Sequence, residues 1–151
     1  MSIDFTKEEY VSLLKALSIA SWVHSTLEEE VEDFQDDLEP IMQKLMSKYK
    51  NFNAEEDVFY DEAVDKYFPS EEIEQDALSI VQTYEEISFW DHLTRRMSER
   101  DLILEYGTLE VQNMDPVERM EIESTYLAKY NEEFIENDIS RLKIIGELEE
   151  A

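Results

Sequence analysis

The sequence predicts an all-α fold, and three observations carry that prediction. Apolar residues recur at three- and four-residue spacing along most of the chain. Glycine and proline, which punctuate β-rich and nucleotide-binding folds, number only two and three in 151 residues. Two Trp, eight Tyr and seven Phe supply core material that disordered acidic chains lack. The length suits one domain, so residues 1–151 are expected to form a single bundle of five or six helices with one long aromatic-acidic loop.

Thr6-Lys7-Glu8-Glu9 has the spacing of a capping box and opens a first helix to about Thr26. Its apolar stripe is Tyr10, Leu13, Leu14, Leu17, Ala20 and Val23, with Trp22 and His24 beside it. From Glu28 to Glu39 eight carboxylates follow without a base, while Val31, Phe34, Leu38, Ile41, Leu45, Tyr49 and Phe52 continue a helical stripe. Pro40 either kinks one long helix or sits in the first turn of a second, where proline is tolerated. Asn51 to Pro69 reads as a long loop with at most a short turn.

A third helix is expected from Ser70 to Glu85, turning Ile73, Ala77, Val81 and Tyr84 inward. A fourth is expected from Ser88 to Glu105, carrying Phe89, Trp90, Leu93 and Met97 and stopping at Gly107. Residues 108–114 then form a connection. Asp115-Pro116-Val117-Glu118 combines an N-cap, a proline at the first helical position and an acid in the first turn. The helix it starts runs to Asn137 and buries Met120, Tyr126, Leu127, Tyr130 and Phe134. Ile139 to Ile145 fits a last helical turn or a short strand equally well.

Thirty-nine acidic residues against thirteen basic ones leave a net charge of −26. That field repels nucleic acid and anionic membranes and favours basic partners or cations. It far exceeds the charge of about 2–8 that solubility asks of a small domain. Cysteine is absent, which excludes disulfides and thiolate metal sites and fits a reducing, cytoplasmic setting. The first nine residues have neither a basic start nor an apolar run, and no stretch of 18 apolar residues occurs, so neither a signal peptide nor a membrane span is expected.

No catalytic pattern stands out. His24 and His92 are the only histidines, and the serines flanking the first, Ser21 and Ser25, are ordinary helix neighbours. A carboxylate-bridged metal pair needs Glu three residues before His, where this chain has Ser21 and Phe89. A calcium loop from Asn51 would use Asn53, Glu55, Asp57 and Glu62, but Glu56 occupies the position that wants glycine. The expectation is therefore no enzyme, no cofactor and no metal site.

Two surfaces remain. Glu28, Glu29, Glu32, Asp33, Asp36 and Asp37 fall in rows four residues apart, about 6 Å of rise, and share one helix face. Phe59, Tyr60, Tyr67 and Phe68 lie among acids in the expected loop, as interface anchors or as pins to the core. Arg95, Arg96 and Arg100 form the one basic cluster, suited to neighbouring carboxylates or to a second acidic copy.

Phe5-Thr6-Lys7-Glu8-Glu9-Tyr10, Tyr67-Phe68-Pro69-Ser70 and Phe89-Trp90-Asp91-His92-Leu93-Thr94-Arg95-Arg96 resemble a family of small bacterial acidic helical proteins with no assigned activity. The resemblance implies a bacterial or phage context and transfers no functional residue. The leading expectation is an acidic protein–protein interaction module whose partner has a basic surface. A DNA-mimic inhibitor of a nucleic-acid-binding or defence protein is the alternative, and a cation-binding protein the second. No nucleic acid or membrane is bound directly, and a homo-oligomer is allowed.

Overall fold

The computed structural model describes residues 4–30 and 37–143, with backbone alone over 27–30. Among them are five α-helices and one two-stranded sheet, an all-α fold. The chain divides into two compact units, Met1–Glu85 and Glu86–Ala151.

In the first unit α1 (Lys7–Glu30) starts as its capping box dictates. The Thr6 backbone N–H donates to the Glu9 carboxylate at 2.8 Å, and the Glu9 N–H donates back to the Thr6 hydroxyl at 3.2 Å. Tyr10 and Leu14 are buried on its stripe, whereas Val23 is exposed and Ser18 is buried in its place. The Ser18 hydroxyl donates to Glu74, which removes the cost of burying it. α2 (Leu38–Met46) carries Pro40 in its first turn, where the missing N–H has no helical acceptor to lose. Its buried side chains are Met42 and Met46; Ile41, expected inside, is exposed, so the true stripe lies one residue further on. Val31 and Phe34 fall outside the described residues.

Asn51 to Pro69 is more ordered than a loop. A 3-10 turn (Tyr49–Phe52) leads to β1 (Val58–Asp61), which pairs antiparallel with β2 (Lys66–Pro69). The chain has no glycine for these bends, and Asn53 and Asp65 take the left-handed conformation instead. Tyr10 ties the unit together: its ring stacks on Phe52 at 4.4 Å, and its hydroxyl donates to the Leu45 carbonyl. Leu14, Met42, Met46, Ala54, Val58 and Ile73 complete the buried cluster, each of the larger side chains contributing about 1.5–3 kcal/mol.

The two helices expected over 70–105 are one, α3 (Glu71–Tyr106). No proline or glycine falls between them, so nothing makes the chain leave the helix at Ser88. Tyr84, expected inside, is 68% exposed, and Phe89 is 50% exposed. α3 stops at Gly107, whose φ of +84° only glycine adopts without strain.

In the second unit the expected connection contains a short helix, α4 (Thr108–Asn113). α5 (Pro116–Asn137) begins and ends where the sequence places it, and the Asp115 carboxylate accepts from the N–H groups of Val117 and Glu118. Leu102, Val111, Tyr130 and Phe134 are buried, while Met120, expected inside, is exposed. Asp138 to Arg141 make a turn; neither helix nor strand follows to residue 143, and Ile144 and Ile145 are not described. No helix among the described residues is long and apolar enough to cross a membrane.

Candidate functional site

The hairpin lines a cleft in the first unit. Residues directly opposite in an antiparallel pair share a face. Register sets Phe59 against Phe68 and Tyr60 against Tyr67. The two phenylalanine rings stack at 5.6 Å and the two tyrosine rings lie 4.9 Å apart. Thus the four aromatics singled out in the sequence are brought together as two cross-strand pairs.

β2 is held to α2 by Gln43, beside the ion pair of Lys66 with Glu39. The Gln43 amide nitrogen donates to the Tyr67 carbonyl at 2.8 Å, and its amide oxygen accepts from the Tyr67 N–H at 2.9 Å. Both outward-facing groups of that residue are satisfied as a third strand would satisfy them. The clamp leaves a cleft of about 520 Å³ between the hairpin, α2 and the start of α3. Phe59, Tyr67 and Phe68 supply its accessible aromatic surface, and the other apolar residues lining it, Met42, Met46 and Pro69, are buried. Phe59, stacked on Phe68 on one side, remains 53% exposed.

The charged residues lining the cleft are Glu39, Glu71 and Glu74; no base lines it. Each has a neutral or exposed neighbour. Glu74 accepts from Ser18 at 3.0 Å and Glu71 accepts from Gln75 at 2.9 Å. Glu39 pairs with Lys66 at 2.9 Å, both partners being more than two-fifths exposed. That hydrogen bond, and then the carboxylate charge behind it, holds the Lys66 ammonium above its ordinary pKa. Glu71 and Glu74 sit in the first turn of α3, where the helix dipole favours negative charge.

No family model, curated protein or solved structure matches this chain. Function has to be read from the residues.

The other expected site is only partly in view. Glu28 and Glu29 lie in the last turn of α1 with side chains not described, and Glu32, Asp33 and Asp36 fall outside the described residues. Asp37 is exposed at the N-cap of α2 and makes no capping bond. This acidic run enters the helix that forms one wall of the cleft. Met42, Met46, Pro69 and the three glutamates escaped sequence reading; the i, i+4 methionine pair was the available signal.

His92 is exposed, His24 is half-buried, and the Ser25 hydroxyl donates to the Trp22 carbonyl. No three His, Asp or Glu stand together as metal ligands among the described residues. Of the calcium-loop residues, Asn53 caps the 3-10 turn and Glu62 lies in the turn after β1.

Proposed function

We propose that the protein is a non-enzymatic, acidic interaction module that receives a basic segment of another protein in the hairpin cleft. One observation carries this reading: an apolar cleft with a half-exposed phenylalanine, Phe59, whose charged lining is wholly carboxylate. Exposed phenylalanine supplies a contact anchor, and the glutamates select for lysine or arginine on either side. The net charge of −26 steers such a partner from a distance. A cytoplasmic setting belongs to the same proposal, on the absence of cysteine. So does the bacterial or phage context implied by the resemblance.

The test is fluorescence anisotropy with a labelled peptide bearing one central leucine between lysine triplets. Binding should weaken at least about tenfold, about 1.4 kcal/mol, when the leucine becomes glycine, in Phe59→Ala, and in Glu71→Lys with Glu74→Lys. Affinity that ignores the leucine and Phe59 sinks the cleft reading. If that affinity also vanishes in Glu29→Lys, Asp33→Lys and Asp37→Lys, the acidic run acts as a DNA-like surface instead.

A further inference from the structure

We propose that the groove between the second half of α3 and α5 binds a linear polyamine. Two clefts, of about 780 and 300 Å³, run along it within the second unit. Thr94 and Asn131 line both, so the clefts adjoin. Thr94 calls for a ligand. It is only 4% exposed, and its hydroxyl makes no hydrogen bond among the described residues. The bond from the Ser98 hydroxyl goes to its backbone carbonyl instead. A buried hydroxyl is nearly always satisfied, and here the open side is the groove. Asn131, across the groove on α5, also makes no side-chain hydrogen bond among the described residues. Its amide oxygen and the Thr94 hydroxyl offer two neutral acceptors.

Charge selects the donor they accept from. The larger cleft is lined by Asp91, Glu99 and Glu123 and by Arg95 and Arg119. Both arginines are engaged within the chain, Arg95 with Asp91 at 3.1 Å and Arg119 with Glu123 at 2.6 Å. Glu99 shares the field of Arg119 without an ion pair of its own among the described residues. Asp138, the one charged residue lining the smaller cleft, accepts only from the Ile139 N–H. It also caps the C-terminus of α5, where the helix dipole adds negative potential. An uncompensated carboxylate therefore lies toward each end of a groove that suits a cation. α3 and α5 run antiparallel, since Trp90 meets Phe134 and Glu105 meets Tyr126. At about 1.5 Å of rise per residue, Glu99 and Asp138 are on the order of 15–20 Å apart along the groove. A metal ion or a single ammonium cannot bridge that span; ammonium groups joined by methylenes can. Trp90, Phe134, Met120 and Leu127 give the methylenes apolar walls, and tryptophan is the aromatic that attracts an ammonium most strongly.

Titration calorimetry of the full chain with spermine in roughly 0.15 M salt tests the proposal. The wild type should bind one spermine with a Kd of about 100 µM or tighter. Thr94→Val, which keeps the shape and removes the hydroxyl, should weaken binding at least about fivefold. Glu99→Gln with Asp138→Asn should weaken it at least about tenfold. Both of those positions are exposed, and asparagine accepts the positive φ at 138, so helical circular dichroism should not change. Glu71→Lys with Glu74→Lys removes more negative charge, but in the other unit, and should shift the Kd less than about twofold. Several weakly bound spermines that both double variants reduce alike would belong to the diffuse field of the whole chain and overturn the proposal. So would the absence of binding, or binding that Thr94→Val leaves unchanged.

Discussion

Gln43 does with one amide what a neighbouring strand does with its backbone. It satisfies both outward groups of Tyr67, and Pro69, the next outward-facing residue of β2, has no N–H to satisfy. Gln43→Leu keeps the size of the side chain but strands a donor and an acceptor, so it should cost about 2–3 kcal/mol in urea unfolding. A loss below about 0.5 kcal/mol would mean that water replaces the clamp without penalty. Tyr10 gives a second measurement. Burial, and then the nearby Asp57 charge, pushes its phenol up to about 12. A folded pKa above the unfolded value of 10.0 means that the stability held by the neutral phenol is intact below pH 10 and is lost as pH rises through about 12. Unfolding curves across that window should fall less steeply in Tyr10→Phe than in the wild type; identical slopes would exclude Tyr10 as a source. Tyr10 was legible because it sits on a periodic stripe close to a capping box. Gln43 was not, because its partner is a backbone group 24 residues away.

At the scale of elements, capping chemistry was the most reliable guide. Thr6 and Asp115 start α1 and α5 as their spacing requires, because a cap is satisfied within four residues and needs no distant partner. Ser88 has the same chemistry in the wrong place. It lies in the interior of α3, so Ser88→Ala should leave stability unchanged or raise it by a few tenths of a kcal/mol, about the difference in helix propensity. A loss of about 1 kcal/mol in thermal unfolding would instead show that Ser88 caps a separate helix. The hairpin was hidden for the opposite reason. Its turns use Asn53 and Asp65 where glycine is the usual signal, and the Asp61 carboxylate closes the bend by accepting from the Ala63 N–H. Its aromatics face both sides of the sheet, so they show no alternation of apolar and polar residues.

For the molecule as a whole the net charge of −26 is the dominant fact. The ion pairs across the described surface are mostly exposed and offset little of the self-repulsion. Raising salt from about 0.02 to 0.5 M, which shortens the Debye length several-fold, should therefore raise the melting temperature, by roughly 2–4 °C for each kcal/mol relieved. A melting temperature that stays flat or falls would show that local pairs outweigh the net field. Peptide binding in the cleft should weaken over the same range, since there the long-range field helps. The sequence by itself determined the helical class, the starts of α1 and α5, the stop at Gly107 and the sign of the field, because each depends on composition or on residues within a turn of one another. Only the tertiary structure decided which methionines are buried, that α3 runs unbroken, and that Phe59 opposes Phe68 in a cleft lined by three glutamates. Those outcomes turn on strand register and on the phase of a helix against its neighbours, which residues distant in sequence settle together.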